Sequence, residues 1–109
     1  MSHRLSRSLS RWGLAVVHGR SMEPTLRAGD RLVVHHQARP QAGDLVVVRL
    51  PDGVVAVKRA AFRQGAGWWV ERDNPVVGVD SWQVGAIPDA DVLAVVRARL
   101  WRWRRRATR

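Results

Sequence analysis

Short apolar runs separated by turn-forming residues are the feature of this 109-residue sequence that most restricts its fold. From residue 31 onwards no segment keeps a 3.6-residue apolar period long enough for a long helix, whereas several valine-rich runs show strand-like alternation. Strands are predicted at residues 14–17, 31–35, 44–50, 54–62, 68–71 and 92–96. Turns are predicted between them, at residues 40–43, 51–53, 65–67 and 73–75. The pattern predicts one mainly β domain, a small coiled or barrel-like sheet.

One serine lies at a glycine-flanked bend between the first two apolar runs. The segment Gly-Arg-Ser-Met-Glu-Pro-Thr-Leu occupies residues 19–26 and places Ser21 between a strand and Pro24. The fixed φ of proline favours a tight turn or a first helical turn at this point. Such a bend would lift the serine hydroxyl out of strand pairing. A loop or capping serine is the alternative interpretation, because Ser-x-x-Pro turns are common.

Lysine usage draws attention to a second residue. Of the 19 basic residues 18 are Arg, and the remaining one is Lys58. Strand alternation puts Lys58 on one face with four apolar residues, Val54, Ala56, Ala60 and Phe62. Burial lowers the pKa of a lysine and allows it to lose its proton, which an arginine in a protein cannot do. A neutral amine beside Ser21 would be a general base, and the alternative is an edge lysine that extends to the surface.

A hairpin and the histidines complete what the residues alone suggest. Pro51-Asp52-Gly53 between two valine-rich runs predicts a β-hairpin with Lys58 on the returning strand. The chain has no cysteine, and its adjacent His35 and His36 would point to opposite faces of a strand. We therefore predict neither a metal site nor a cofactor.

Ser21 and Lys58 are 37 residues apart, and further motifs lie between and after them in a recognisable order. These are Gly43-Asp44, Asp73-Asn74-Pro75, Asp80-Ser81, Gly85 and Pro88. Together they resemble the serine-lysine signal peptidase family over roughly residues 16–96. Within that family the Gly-Arg-Ser-Met-Glu-Pro-Thr-Leu and Asp-Asn-Pro segments are most similar to nickel-type superoxide dismutase maturation proteases.

The resemblance implies a role for each matching position. Ser21 would be the nucleophile and Lys58 the general base, and the hydroxyl proton would pass from one to the other. Asp80 and Ser81 would support the region around the lysine, with Asp73 and Asn74 shaping the same loop. Gly19 and Arg20 would belong to the oxyanion-binding turn, whose donors would be backbone N–H groups, chiefly that of Ser21. Met22 and Pro24 would contact substrate.

Three positions depart from the family pattern. Gly19 replaces a serine that helps to bind the oxyanion in some members, and Gly78 replaces a serine that orients the lysine in others. Trp82 stands where the family has the arginine of Asp-Ser-Arg, and tryptophan cannot pair with a carboxylate. These departures touch the supporting residues and leave the nucleophile and the base in place.

The net charge of +10 is concentrated at the two ends of the chain. Residues 1–20 carry four Arg and residues 97–109 carry seven, both without acids, while residues 21–96 carry eight basic and nine acidic residues. We predict a basic N-terminal arm at residues 1–13, a peptidase domain at 14–98 and an Arg/Trp-rich tail at 99–109. The apolar run at residues 12–17 is too short for a membrane span, which requires roughly 20 residues, so no anchor or signal peptide is predicted.

The predicted activity is cleavage of a precursor by a cytoplasmic serine endopeptidase with a Ser/Lys dyad. By resemblance the partner would be the precursor of nickel-type superoxide dismutase, whose leader is removed, and nickel would belong to that substrate. Alternatives are a general signal peptidase, a self-cleaving repressor-type protease, and a non-catalytic module that binds lipid or nucleic acid through its basic ends. The tail would suit an anionic membrane surface, and no specific nucleic-acid contact is predicted.

Overall fold

The computed structural model describes residues 11–101, which form one curled, antiparallel seven-stranded half-barrel. The strands are β1 (Trp12–Val16), β2 (Arg31–His36), β3 (Leu45–Arg49), β4 (Val55–Gln64), β5 (Gly67–Glu71), β6 (Ile87–Pro88) and β7 (Val92–Trp101). A one-turn helix, α1 (Ser81–Val84), precedes β6, and a 3-10 turn (Asp89–Asp91) follows it. The predicted mainly β fold is confirmed. Most of the predicted arm and tail lies outside the described residues, so the division of the chain at 13 and 98 stays a prediction.

The order of strands in the sheet is β1-β2-β7-β3-β4-β5-β6. The last strand, β7, is therefore inserted between β2 and β3, and the N- and C-terminal parts of the chain form one sheet. The predicted hairpin joins β3 to β4 at residues 51–53, where the Leu50 N–H donates to the Val54 carbonyl at 2.8 Å. This turn sets Lys58 opposite Val46 of β3.

Two apolar clusters lie on the two faces of the sheet. Along β3, Val46 and Val48 belong to one cluster, while Leu45 and Val47 pack against the other. Because successive side chains of a strand point to opposite faces, the central strands are covered on both sides. The first cluster also contains Trp68, and the second is completed by residues of the Ser21 segment.

The apolar face predicted for β4 is only partly correct. Lys58 and Ala60 are buried, but Val54 and Phe62 are about half exposed. Between Ala60 and Phe62 the pairing with β5 shifts register, and this bulge breaks the two-residue alternation. Phe62 consequently lies on the surface, where its ring stacks on that of Trp69 at 5.7 Å between centroids.

Within residues 11–101 no helix has the length and apolar character needed to cross a membrane.

Candidate active site

The Ser21 segment is a compact loop between β1 and β2 that is fixed by both its backbone and its side chains. At its base the Val17 N–H donates to the Asp30 carbonyl at 2.9 Å, and the Gly29 N–H donates to the Val17 carbonyl at 2.8 Å. Met22 and Leu26 are each 2% exposed and pack with Val17 in the second cluster. The loop is thus anchored to the core at both ends, and partly exposed Ser21 is held on a rigid support.

Met22 and Pro24 were both predicted to contact substrate. The structure places Met22 inside the apolar cluster, where its side chain anchors the loop. Pro24 is exposed and follows a cis peptide bond from Glu23. Contact of either residue with substrate stays a prediction.

Lys58 is buried on β4, with only 2% of its surface exposed. Desolvation by this burial lowers the pKa of its amine from the ordinary value of 10.5, the charge of Asp80 opposes that effect, and the charge of Arg72 adds to it. Among the described residues no carboxylate forms an ion pair with Lys58. The environment therefore favours the neutral amine that a general base requires.

The segment from Arg72 to Asp80 links Ser21 to Lys58. Asn74 binds the serine loop twice, because its N–H donates to the Ser21 carbonyl and its side-chain amide donates to the Arg20 carbonyl, both at 2.8 Å. At the far end of the segment, Asp80 lies close enough to Lys58 to act on its pKa. The predicted nucleophile and base thus both adjoin this segment, although they are 37 residues apart in sequence.

Gly78 of the same segment also lies close to the serine. A Cβ atom built on Gly78 would lie inside van der Waals distance of Ser21 Cβ, and at 3.1 Å from both Ser21 Cα and Arg72 Cδ. Its φ of +122° is also one that side-chain-bearing residues rarely adopt. Glycine at position 78 is therefore a steric requirement of this loop, and the serine found there in some signal peptidases would not fit.

Asp73 ties the same segment to the framework. Its carboxylate accepts hydrogen bonds from Arg59 at 2.6 and 3.3 Å and from the Thr25 hydroxyl at 2.5 Å. Burial raises the pKa of Asp73, but the hydrogen bonds from Arg59 and Thr25 and the charge of Arg59 outweigh it, so the pKa falls below 3.8. One carboxylate thereby joins the serine loop, β4 and the loop that contains Asp73. Sequence reasoning placed Asp73 here but missed Arg59 and Thr25 as its partners.

Asp80 and Ser81 are buried at the start of α1. The Asp80 carboxylate caps the helix by accepting the Trp82 N–H at 3.1 Å, and Gln83 returns a bond by accepting the Asp80 N–H at 2.9 Å. The Ser81 hydroxyl accepts the Val70 N–H of β5 at 2.9 Å. Ser81 thus fixes the helix to β5, and Asp80 lies close enough to Lys58 to act on its pKa; the support role of both residues stays a prediction.

Trp82 does not pair with Asp80, and another residue supplies the positive charge beside this carboxylate. Its side chain is 75% exposed and packs edge-on against Trp69, with 5.2 Å between ring centroids. The arginine that pairs with Asp80 is Arg72, at 3.3 Å. The sequence predicted that residue 82 could not pair with a carboxylate but did not identify this substitute.

The backbone N–H of Ser21 is a candidate oxyanion donor. Gly19 adopts a φ of +79°, and Arg20 donates from its side chain to Glu23 at 3.3 Å. The Arg20 carbonyl is occupied by the Glu23 and Asn74 donors. In the part of the chain that the structure describes, the Ser21 N–H has no hydrogen-bond acceptor, which suits an oxyanion donor.

A groove of about 1250 Å³ is lined by residues of β1 to β5, β7, the 3-10 turn and the loop at 37–40. Leu14 and Ala15 of β1 and Val55 of β4 contribute to its lining, which includes neither Ser21 nor Lys58. β1 runs into the Ser21 loop, and Val55 is three residues before Lys58 on β4. At about 3.3 Å per residue, Val55 lies roughly 10 Å along the strand from the lysine.

Comparison with known families agrees with this arrangement. A model of the Peptidase S24-like family matches residues 6–97, most of the chain, including Ser21 and Lys58. The chain belongs to the Peptidase S24-like family. No curated protein matches the sequence.

Membership of the Peptidase S24-like family confirms the coarser part of the sequence prediction. The family implies a serine protease, and it falls within the same Ser/Lys superfamily as the signal peptidases. The family match identifies no catalytic residues, so the roles of Ser21 and Lys58 stay predictions. The signal peptidase branch and the nickel superoxide dismutase substrate likewise stay predictions. Among the described residues no group of His, Asp or Glu is suited to hold a metal ion.

Proposed function

We propose that this Peptidase S24-like protein is a serine endopeptidase in which Ser21 is the nucleophile and Lys58 the general base. The observation that carries the proposal is the chain's only lysine, buried on β4, with its pKa lowered, beside the same segment that contacts Ser21. Removing the lysine proton costs less at such a site than at an exposed one, because burial disfavours the charged amine. The neutral amine then accepts the serine proton as the hydroxyl attacks.

The chemistry runs through one acyl-enzyme. Ser21 Oγ bonds to the substrate carbonyl carbon, its proton passes to Lys58, and the Ser21 N–H stabilises the resulting oxyanion. Collapse of this intermediate breaks the peptide C–N bond, and Lys58 returns the proton to the leaving amine. Lys58 then takes a proton from a water molecule, whose oxygen attacks the ester carbonyl carbon. Collapse of this second intermediate breaks the bond to Ser21 Oγ, which takes the proton back from Lys58 as the acid leaves.

An extended peptide fits the strand edges that border the groove. β1 is the end strand of the sheet, so its outer edge is unpaired within residues 11–101. β5 pairs with β4 only from Arg59 onwards, which leaves the β4 backbone at 55–58 without a partner on that side in the same region. A substrate strand laid along either edge would use backbone hydrogen bonds for affinity and would be directed towards Ser21 and Lys58.

The proposed substrate is the leader of a nickel-type superoxide dismutase precursor. The support is the similarity of the Gly-Arg-Ser-Met-Glu-Pro-Thr-Leu and Asp-Asn-Pro segments to the proteases that mature that enzyme. Nickel would bind the processed substrate, and the protease would use no cofactor.

Mass spectrometry of a co-expressed nickel superoxide dismutase precursor tests the activity and the substrate together. We expect loss of the leader with the native chain, and an intact precursor with Ser21→Ala and with Lys58→Arg. Gln41→Ala, in an exposed turn, is the control that should cleave normally. An intact precursor with the native chain would refute the substrate, and cleavage by Lys58→Arg would refute the general base.

Self-cleavage is a second candidate function, and the S24-like match favours it because this superfamily includes self-cleaving repressors. Purified native chain incubated alone would then lose a fragment at a rate independent of protein concentration. A Ser21→Ala chain should stay intact under the same conditions. Native chain of unchanged mass that nevertheless cleaves a precursor would exclude self-cleavage in favour of action on another protein.

A further inference from the structure

We propose that Arg72 is a positioning residue of the site: its guanidinium holds Asp80 and the loop at 73–80 in place, and it substitutes for the arginine that the family pattern places at position 82. The proposal rests on the proposed Ser/Lys mechanism, because Arg72 acts through Lys58 and Ser21 and does not itself touch the substrate.

The contacts of Arg72 show how one side chain orders the loop. Arg72 follows directly after β5, and its Nε donates to the Asn74 carbonyl at 2.7 Å. Its Nη1 donates to the Gly78 carbonyl at 3.4 Å and to Asp80 Oδ2 at 3.3 Å, while Nη2 donates to the Pro75 carbonyl at 3.3 Å. The planar guanidinium therefore spans the loop from one end to the other, which a lysine ammonium could not do in the same geometry.

The aliphatic part of Arg72 also contributes to the position of the serine. A Cβ atom on Gly78 would lie 3.1 Å from Arg72 Cδ and would also meet Ser21, so the arginine stem, the glycine and the serine pack together. Arg72 thus helps to set the distance between the loop and Ser21. The guanidinium of Arg72 acts on Lys58, the other member of the proposed Ser/Lys pair.

Two opposed charges act on Lys58, and Arg72 influences both. Asp80, at the start of α1, raises the pKa of Lys58, and Arg72, at the end of β5, lowers it. Arg59 is the next residue on β4, but its guanidinium is engaged by Asp73. Because Arg72 pairs with Asp80 directly, it offsets the carboxylate that would otherwise favour the protonated lysine. The neutral form of Lys58 therefore depends on the ion pair between Asp80 and Arg72, which directly follows β5.

Residue 82 cannot provide the charge that Arg72 provides in this chain. Residue 82 is a solvent-exposed tryptophan that contacts Trp69, so it supplies no charge to Asp80. Arg72 supplies that charge through its Nη1, which lies 3.3 Å from Asp80 Oδ2. The departure at position 82 therefore leaves Asp80 with a cationic partner.

The single lysine allows a direct test. In protein labelled with ¹³C-lysine, one Cε signal reports the protonation of Lys58, so its pKa can be measured without substrate. We expect Arg72→Gln to raise the pKa of Lys58 and Asp80→Asn to lower it. The double variant Arg72→Gln/Trp82→Arg should move the pKa back towards the native value. Arg49→Gln removes an exposed arginine that pairs with Asp91 and should change nothing.

The opposite signs separate a positioning role from loosening of the fold, since a merely structural defect would move the pKa of both variants in one direction. An unchanged or lowered pKa in Arg72→Gln would overturn the proposal, as would failure of Trp82→Arg to restore it. If Arg72→Gln does not fold, Asp80→Asn and Trp82→Arg in the native background still test the two charges. A raised pKa of Lys58 in Asp80→Asn would then refute the proposal. So would a pKa of Lys58 that Trp82→Arg fails to lower.

Cleavage kinetics supply a second readout. At neutral pH we expect Arg72→Gln to lower kcat/KM on the order of 10-fold to 100-fold, through a smaller neutral fraction of Lys58 and through displacement of the reacting groups, for which about 1 Å costs on the order of 100-fold. The loss should shrink as the pH rises and Lys58 deprotonates. A loss that is equal at all pH values would contradict the effect on the base. Absence of cleavage by the native chain would refute the proposed function and leave the lysine titration readable.

Discussion

A serine at position 78, as some signal peptidases have, should damage this protein. Gly78→Ser looks like a repair by sequence comparison, because some signal peptidases use a serine there to orient the lysine. In this chain the new side chain would collide with Ser21 and crowd Arg72. Either the loop keeps its position and is strained, or it moves and displaces the nucleophile.

The expected magnitude follows from two separate effects. A side chain at φ +122° brings backbone strain of about 1–3 kcal/mol, and forcing extra atoms into a packed contact brings about 1–3 kcal/mol more. Together the two effects come to about 2–6 kcal/mol, and a middle value of about 4 kcal/mol would lower the Tm of a domain of this size by roughly 16–32 °C. If the loop moves instead, Ser21 moves with it, and cleavage falls by about 100-fold for a 1 Å displacement.

Gly53→Ser is the matched control for the strain alone. Gly53 has a φ of +91°, and a Cβ atom built there would meet nothing within 4 Å. Thermal melting and precursor cleavage should be measured for both variants. We expect Gly78→Ser to be inferior to Gly53→Ser in stability, in activity or in both. Equal melting temperatures together with native cleavage in Gly78→Ser would refute the close approach of Gly78 to Ser21.

Three further predictions concern the buried charges. Lys58→Met should abolish cleavage and stabilise the fold by about 1–3 kcal/mol at neutral pH in denaturant unfolding, because it removes a buried polar group; a destabilised variant would contradict this. Cleavage by the native chain should rise with pH through the lowered pKa of Lys58, so a rate profile with its midpoint at or above 10.5 would count against the assignment. The stabilisation from Asp73, whose folded pKa is lowered, is fully present above 3.8 and is lost as the pH falls through the folded value. Arg59→Gln should therefore move acid unfolding to higher pH, as followed by circular dichroism, and an unchanged midpoint would refute the role of that pair.

Six of the seven strands could be predicted because each begins within a short apolar run bounded by turn residues, but the two-residue β6 was not predicted. Pairing register could not, since a bulge such as the one between Ala60 and Phe62 depends on the partner strand and leaves no mark on β4 itself. Helix α1 was not predicted, because a single turn is too short to show a 3.6-residue period. A signal was nevertheless present, because Asp80 and Gln83 have the spacing of a capping box.

The candidate site could be predicted where chemistry restricts the residue type. Lys58 was identifiable as the only lysine of an arginine-rich chain, and Ser21 by its glycine and proline neighbours. The arginine partners could not be predicted, because 18 arginines are available and sequence alone does not say which of them approaches which acid. Arg72 and Arg59 became distinguishable only when the fold brought β4 and β5 together beside the loop at 73–80.

The two acidic residues of that loop have separate tasks, and their partners decide which. Asp73 is held by Arg59 and Thr25 and is not among the charges that act on the pKa of Lys58. Asp80 divides its carboxylate between the helix N-terminus and the single contact from Arg72, and it does act on the lysine. Loss of Asp73 should therefore weaken the attachment of the loop at all pH values at which the carboxylate is charged. Loss of Asp80 should change the pH at which the base becomes available, so one loop sets the position of the nucleophile and the protonation of the base through different residues.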